Sequence, residues 1–398
     1  MDEFLKHQKI DADARDLDDF NFSKSCSTCN RRYCCSDRHF EERNDRHKEN
    51  FISFIDNINP NKKIAIIAHG NCSDGMASTV FLTELLQNKY RSISFPLCIF
   101  IDYSLDMYGE LLINRLRKEK IEYLFVLDVG MNPQNVSSFE ELSRQFSVCY
   151  VDHHPSDFIP SSPKCVIKTE SADCTTLMLY RFSEEFIDVK KWFWLVCAVA
   201  VSEFSYKKQS NLEFLKKYYP SFSRENIENT VSLKMSNVLG SLIKYYKNEP
   251  LKALEIIIKQ DFEFMNKINK EVFGEIERVL NLFTNSESHY NESIYFFNIS
   301  SRFDVSSSVS TILSIKNLGK TIVTFSEDEG DISKVKVSAR NNTEPIPYSM
   351  KSMMEFGIIG LSESTAGGHL PAAGAVILRK DLETFKKRVL EFVASKLN

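Results

Sequence analysis

The chain has 398 residues, 43% of them hydrophobic and 26% charged, and this ordinary globular composition excludes a chain that is disordered throughout. Fifty Lys and Arg against 54 Asp and Glu give a formal charge of −4, too balanced for nucleic-acid binding through bulk charge alone. No apolar run reaches the roughly 20 residues of a membrane span, and the acidic start lacks the layout of a signal peptide. The sequence therefore predicts a soluble, cytoplasmic protein with no membrane partner.

Residues 1–60 are polar and have no sustained apolar period before Phe51–Ile58, which predicts a partly helical N-terminal extension. The extension contains clustered potential zinc ligands, namely Cys26, Cys29, Cys34, Cys35, His39 and His47. One alternative is a small structural Zn²⁺ site, because a Cys-x-x-Cys pair has further ligands close behind it. The other is a basic helix with free thiols.

A strand-loop-helix pattern begins at residue 62. Lys62–His69 is an apolar, β-branched run followed by a Gly-containing turn and a helical stretch from about Asp74 to Leu86. Similar strands are predicted at Ser92–Phe100, Glu122–Gly130 and Ser147–His154, with amphipathic helices between them. This alternation predicts an α/β fold with a doubly wound parallel sheet covered by helices on both faces.

The sequence patterns in the second half of the chain predict a helical connector and a further domain. Strand patterns are absent from about residue 171 to 283, and long helical stretches such as Pro250–Phe283 indicate a helical connector. The polar segment Thr284–Ser293 marks a boundary. Strand patterns then return, with a Gly-rich turn and a terminal helix, and predict a smaller C-terminal α/β domain. Its predicted strands are Ser293–Ile299, Thr321–Ser326, Lys334–Arg340 and Ala372–Arg379.

Acids and histidines follow three of the predicted parallel strands. In open α/β sheets ligands bind beyond the carboxyl ends of the strands, so these residues are expected to meet at one edge. Imidazoles and carboxylates together form the ligand set of divalent metals of the manganese or zinc type. The residues are His69 and Asp74 after the first strand, Asp128 after the third, and Asp152, His153 and His154 after the fourth.

Two motifs then resemble a known family. Val-Asp-His-His after an apolar strand, ending at His154, resembles the signature of the DHH phosphoesterase superfamily, and His69, Asp74 and Asp128 match its first two motifs. The segment Gly367–Gly374, GGHLPAAG, resembles the GGHxxAAG motif of the DHH-associated C-terminal domain. Ser338-Ala339-Arg340 resembles the SxR strand of that domain. The resemblance covers roughly residues 62–396.

The resemblance implies a metal-dependent phosphoesterase that hydrolyses bonds of short oligonucleotides or small nucleotides with a metal-activated water. One or two divalent ions are expected, with Mn²⁺ as the expected metal. The implied ligands are His69, Asp74, Asp128 and His153, with Asp128 bridging. Asp152 would support the histidines, and His154 would contact the scissile phosphate. The implied substrate-binding residues are Arg340, Gly367, Gly368 and His369. The implied domains are an extension at 1–60, a DHH domain at 61–205, a connector at 206–284 and a substrate-binding domain at 285–398.

Two positions depart from the family pattern. The first motif lacks its first Asp. Cys72 takes that place when the motif is aligned on Gly75, Ser73 takes it when the motif is aligned on His69, and Asn71 lies nearby. A Cys72 thiolate would favour zinc over manganese because sulfur is the softer ligand, although a neutral thiol is the alternative. Glu203 is the only acid near the place of the family's fourth motif. The sequence therefore leaves a second hypothesis open, a degenerate DHH-fold subunit that binds nucleic acid or protein without hydrolysis.

Overall fold

A computed structural model describes residues 34–101, 107–131, 135–154, 156, 158–184, 186–220, 222–224, 227, 230–284, 293–328, 331–343, 345–368 and 370–397. The chain divides into two compact units, one ending at residue 269 and the other formed by residues 270–398. Each unit contains one five-stranded sheet. The finer domain boundaries given by the sequence stay predictions.

The first unit alternates strands and helices in its amino-terminal half and is helical afterwards. Its strands are β1 (Lys63–His69), β2 (Leu97–Ile101), β3 (Ile121–Leu127), β4 (Ser147–Asp152) and β5 (Cys165–Lys168). Its helices are α1 (Cys34–Asp56), α2 (Ser73–Lys89), α3 (Glu110–Lys118), α4 (Val136–Gln145), α5 (Thr175–Ser183), α6 (Phe193–Ser202), α7 (Gln209–Tyr218), α8 (Val231–Tyr245) and α9 (Pro250–Lys259). Short 3₁₀ turns flank α6 at Val189–Trp192 and Ser205–Lys207.

The sheet of the first unit is entirely parallel, with strand order β2-β1-β3-β4-β5. Five consecutive residues of β1, Ile64 to Ala68, are buried, as expected for a strand that is covered on both faces. Side chains from β1, β3 and β4 pack with α3 and α4 in one of the hydrophobic cores. The predicted α/β fold class is confirmed.

The sheet differs from the sequence prediction at both of its edges. Strand β2 begins at Leu97, five residues later than predicted, directly after Pro96, which has no N–H to donate to a strand ladder. Strand β5 was not predicted, because its four residues are too few to show a period. It pairs with β4 and places Lys168 opposite Asp152.

The helical part of the first unit contains an apolar helix. Helix α6 has the sequence FWLVCAVAVS, and seven of its ten residues are buried. A helix that is apolar on all sides has to be covered on all sides, and α6 packs against α2, α5 and α8. No helix of the described residues combines the length and the apolar character needed to cross a bilayer.

The second unit is a mixed sheet with helices. Its elements are α10 (Phe262–Thr284), which begins before residue 270, β6 (Ile294–Ile299), α11 (Ser306–Lys316), β7 (Thr321–Glu327), β8 (Lys334–Arg340), α12 (Met350–Gly357), β9 (Thr365–Gly368), β10 (Ala372–Leu378) and α13 (Leu382–Leu397), which follows a 3₁₀ turn at Arg379–Asp381. The strand order is β6-β7-β8-β10-β9, with β6 and β7 parallel and the other pairs antiparallel. The segment predicted as a Gly-rich turn is partly a strand, because β9 pairs with β10 through the backbone.

Candidate metal centre

The strand register brings the predicted residues to one edge of the parallel sheet. Ala68 pairs with Leu127, and Leu127 pairs with Val151. The residues that come next along these strands therefore lie side by side at the carboxyl edge. They are His69, Asp128 and Asp152.

The turn from β1 into α2 places His69 next to Cys72. Cys72 is the N-cap residue of α2, and its Sγ accepts a hydrogen bond from the Gly75 N–H at 3.1 Å. A Cβ atom on Gly75 would lie 2.2 Å from the carbonyl oxygen of His69, so this position requires glycine. The tight turn therefore fixes the distance between the strand end and the helix start.

Asp128 lies at the centre of the site. Its backbone is left-handed, with φ of 58°, a conformation that Asp tolerates better than most residues, and its N–H donates to Val151 at 2.9 Å. The side chain is 1% exposed. Its Oδ2 accepts a hydrogen bond from Cys72 Sγ at 2.8 Å, and its Oδ1 lies 3.3 Å from His153 Nε2. Among the described residues, Oδ1 has no partner with hydrogen-bond geometry.

The end of β4 forms a second cluster of charges. Asp152 is fully buried and accepts hydrogen bonds from His154 Nδ1 at 2.8 Å and from Lys168 Nζ at 2.7 Å. Burial alone would raise the pKa of Asp152, but His154 and Lys168 hold it well below its usual range. Lys168 Nζ also donates to the carbonyl oxygen of His154. The imidazole of His154 is thus oriented by a buried ion pair.

Lys168 is the functional residue that sequence reasoning missed. It lies on the short β5, next to the DHH motif only through the parallel pairing of β4 and β5. Its side chain is 10% exposed. The sequence signal that could have identified Lys168 is its position at the end of an apolar strand, because a buried lysine needs a carboxylate partner.

Asp74 makes contacts that differ from those of a simple metal ligand. Its two carboxylate oxygens accept the backbone N–H groups of Thr175 and Thr176, each at 2.7 Å, and thereby cap the N-terminus of α5. Its Oδ2 also lies 3.4 Å from His153 Nε2. Burial and the nearby charge of Asp128 raise the pKa of Asp74. Asp74 is thus held by the start of α5 and lies next to Nε2 of His153, the atom that also faces Asp128.

Glu203 shares this charged environment. It ends α6, and its backbone N–H donates to Val199 at 2.9 Å. Burial and the charge of Asp128 raise the pKa of Glu203, and the charge of Glu203 in turn contributes to raising the pKa of Cys72. Glu203 therefore lies at the end of α6, and its charge acts on the ionisable groups of the centre.

The ligand atoms form two groups that share one carboxylate. His69, Cys72 and Asp128 form the first group, and Asp128, His153 and His154 form the second. Within each group one ligand atom from each residue lies within 4.8 Å of the others. Metal ligands are most often drawn from these residue types, so the donor set fits divalent cations.

The electrostatics of the centre also fit a cation. Burial alone would lower the pKa of His153, but Asp128 and Asp74 raise it above its ordinary value, so the centre favours positive charge. Asp128 Oδ1 and His153 Nδ1 are both buried, and neither has a hydrogen-bond partner among the described residues. A divalent ion would offset the mutual repulsion of Asp74, Asp128 and Glu203.

The predicted substrate-binding residues of the second unit lie around β10. Ala372 pairs with Arg340 of β8, and Ala373 pairs with Gly368 of β9, so both lie at the same end of β10. The Arg340 guanidinium donates to Ala373 O at 3.3 Å and to Ser307 Oγ at 3.0 Å. Burial lowers the pKa of Arg340 to about 10.

The two glycines permit the close approach of β9 and β10. Gly368 has φ of 141°, and a Cβ there would lie 2.5 Å from Ala372 O. Gly367 is exposed and pairs with Gly374. His369 lies outside the described residues.

Two of the six candidate zinc ligands lie outside the described residues. Cys26 and Cys29 precede residue 34, where the description begins, whereas Cys34, Cys35, His39 and His47 belong to α1. The two alternatives for this cluster stay predictions.

The fold is shared with solved structures. Exonuclease RecJ bound to manganese matches with a TM-score of 0.62 and 16% identity, over 87% of this chain and 94% of that one. RecJ from Thermus thermophilus in complex with Mn²⁺ matches with a TM-score of 0.65 and 17% identity, over 87% of this chain and 54% of that one. The DHH domain of a protein assigned to a family of ribosomal proteins matches with a TM-score of 0.60 and 13% identity, over 89% of this chain and 91% of that one.

These likenesses define the class of fold. The chain shares its fold with these RecJ structures and with this DHH domain, as the resemblance predicted. No protein-family model and no curated protein matches the chain by sequence. At these identities the likeness concerns the fold, so function has to be argued from the site.

Proposed function

We propose that the chain is a metal-dependent phosphoesterase that hydrolyses phosphodiester or phosphomonoester bonds of short oligonucleotides or small nucleotides. The observation that carries this proposal is the position of Asp128, whose carboxylate belongs to two groups of ligand atoms at once. Two neighbouring cation positions are typical of enzymes that hydrolyse phosphate esters. RecJ, which has the same fold, is an exonuclease and binds manganese, and this supports the same reaction class.

The residues of the centre divide between two cation positions. His69, Cys72 and Asp128 would hold one divalent ion, and Asp128 with His153 would hold the other. Such ions, when bound, polarise a phosphoryl oxygen and lower the pKa of a bound water. Asp74 stays a predicted ligand, and its contacts with α5 and His153 support a positioning role for it. Glu203 would contribute negative charge from the end of α6.

His154 is the proposed contact of the scissile phosphate. Its side chain is 34% exposed, whereas that of His153 is 7% exposed, so His154 is the more accessible of the two. His154 and Lys168 hold the pKa of Asp152 well below its usual range, so His154 Nδ1 donates to this carboxylate, and the bond orients the ring. Burial opposes the charged ring, but Asp152 raises the pKa of His154, which favours donation to a phosphoryl oxygen.

The second unit would supply substrate binding. Arg340 is a partly buried cation, and the hydrogen bonds of its guanidinium within the described residues go to carbonyl and hydroxyl oxygens rather than to a carboxylate, so a phosphate is a suitable partner. Gly367 and Gly368 would allow the backbone to approach that phosphate. His369 stays in the proposal as a further donor. The partner molecule is thus a nucleotide or the end of a short nucleic acid.

The test is hydrolysis by the purified full chain after metal removal and readdition of Mn²⁺, Mg²⁺ or Zn²⁺. The substrates are a chromogenic phosphodiester, a dinucleotide, and oligonucleotides of increasing length. Asp128→Asn should abolish turnover and leave the thermal unfolding temperature nearly unchanged, because Asn is nearly isosteric and tolerates the left-handed backbone. Asp56→Asn, an exposed acid at the end of α1, is the matched control.

The same measurements distinguish the phosphoesterase from the alternative, a degenerate subunit that binds without hydrolysis. Turnover that needs a divalent metal and Asp128 supports the phosphoesterase. Metal binding or nucleic-acid binding without turnover of any substrate would instead favour a degenerate binding subunit. Near-normal turnover by Asp128→Asn would contradict the assignment of Asp128 as the shared ligand.

A further inference from the structure

We propose that the two cation positions differ in chemistry, and that the position formed by His69, Cys72 and Asp128 selects a thiophilic ion of the zinc class. The inference rests on the proposed metal site and goes beyond it by assigning one ion class to one position. The other position, held by Asp128 with His153, contains no sulfur and lacks this thiol-based preference.

The Cys72 side chain is directed at the carboxylate that the two positions share. Cys72 Sγ lies 2.8 Å from Asp128 Oδ2, so the thiol proton is directed at the carboxylate that both positions share. A cation that replaces this proton gains both a sulfur and an oxygen ligand, and the proton is released to solvent. His69 completes a set of three different donors within 4.8 Å. Three protein ligands with an open position are typical of catalytic zinc sites.

The position of His69, Cys72 and Asp128 has few carboxylate oxygens available. Asp74 lies two residues after Cys72, and the N–H groups that open α5 bind both of its oxygens. It is a member of neither ligand group. Asp128 therefore supplies the carboxylate of the first position, and the sulfur of Cys72 becomes the deciding donor. Thiolates select zinc over manganese and magnesium, which prefer oxygen ligands.

The local structure allows clean substitutions at Cys72. Its Sγ also caps α2 by accepting the Gly75 N–H. Ser and Asp are among the best N-cap residues, so Cys72→Ser and Cys72→Asp should both keep the helix start. Cys72→Ser removes the soft donor, and Cys72→Asp replaces it with a hard one. Cys174, the N-cap residue of α5, lies outside both ligand groups, and Cys174→Ser is the matched control.

The first experiment is spectroscopic and does not depend on activity. The full chain is stripped of metal and titrated with Co²⁺ alone, and the sulfur-to-cobalt charge-transfer band is recorded in the near ultraviolet. Because other thiols also bind cobalt, all variants are made in a full-length background in which the four N-terminal cysteines are serine. These substitutions are at Cys26, Cys29, Cys34 and Cys35. The band should be present in this background and in Cys174→Ser, and absent in Cys72→Ser.

The second experiment measures selectivity. Equilibrium dialysis against Zn²⁺ and Mn²⁺ together, followed by elemental analysis, gives the ratio of the two affinities. Cys72→Asp should lower the preference for Zn²⁺ over Mn²⁺ by about 10-fold or more, because even the loss of a residue that supports a metal ligand typically changes metal affinity about 10- to 100-fold. Cys174→Ser should leave the ratio unchanged. Thermal unfolding of each variant verifies that it is folded.

The outcomes separate this inference from the proposed function. A charge-transfer band that survives Cys72→Ser, an unchanged metal ratio in Cys72→Asp, or no metal binding at all would overturn the inference. If the band is lost in Cys72→Ser and the ratio falls in Cys72→Asp, but no phosphate ester is hydrolysed, the inference stands and the phosphoesterase fails. If esters are hydrolysed but Cys72 affects neither readout, the phosphoesterase stands and the inference fails.

Discussion

Lys168→Met tests whether a buried ion pair holds the DHH motif in place. Lys168 Nζ donates to Asp152 Oδ2 and to the carbonyl oxygen of His154. Methionine has a similar length and is apolar, so it can fill the same space without the charge. The substitution leaves Asp152 buried, with His154 as its remaining charged partner.

The expected loss is large because both side chains of the pair are shielded from water. The side chain of Lys168 is 10% exposed and that of Asp152 is fully buried. Removing one partner of a buried pair typically costs about 3–5 kcal/mol, because the other charge is left uncompensated. His154 continues to bind Asp152 at 2.8 Å, so we expect the lower part of this range, about 3 kcal/mol. Catalysis should fall as well, since the orientation of His154 depends on Asp152.

The assay is urea unfolding of the metal-free full chain, followed by circular dichroism, with hydrolysis measured in parallel. Lys62→Met is the control, because Lys62 pairs with Glu122 at 2.8 Å and both side chains are about half exposed. An exposed pair contributes roughly 0–1 kcal/mol. The double variant Lys168→Met with Asp152→Asn should recover part of the lost stability, because it removes the uncompensated charge.

Equal effects of Lys168→Met and Lys62→Met would refute the reasoning, since burial would then make no difference to the pair. A double variant that is no more stable than Lys168→Met alone would also refute it. If stability falls but hydrolysis by the folded fraction is unchanged, Lys168 stabilises the sheet without orienting His154.

Three further changes test other parts of the molecule. Gly75→Ala should destabilise the first unit and lower its unfolding temperature, because the new Cβ would lie 2.2 Å from the carbonyl oxygen of His69. Gly274→Ala places its new Cβ in open space and should leave the unfolding temperature unchanged. Equal effects of the two substitutions would contradict the tight turn at Gly75. Glu203→Gln should weaken metal affinity about 10- to 100-fold, and an unchanged metal titration would make Glu203 only a helix-end residue. Arg340→Ala should raise KM about 10- to 100-fold for substrates with a terminal phosphate, since a charge-assisted hydrogen bond contributes roughly 1.5–3 kcal/mol. A small chromogenic phosphodiester should be hydrolysed almost normally, and equal losses on both substrates would place Arg340 at the reacting phosphorus instead.

The sequence by itself determined the fold class and the edge at which the candidate site lies. Apolar strands alternating with helices require a parallel sheet, and parallel strands bring their carboxyl ends to one edge. His69, Asp128 and Asp152 could therefore be placed side by side without coordinates. The short strands β5 and β9 could not be predicted, because four residues carry too little pattern.

Only the tertiary structure decided how the individual side chains are used. Asp74 matches a family motif, yet its carboxylate caps α5, a helix that begins 101 residues further along the chain. Cys72, which stands where the family pattern has an acid, instead lies against Asp128, and Lys168 reaches Asp152 from the neighbouring strand. Such partners are set by strand register and helix packing between distant segments. Local sequence does not encode the distances between side chains of distant segments. The two groups of ligand atoms could therefore be identified only from the tertiary structure.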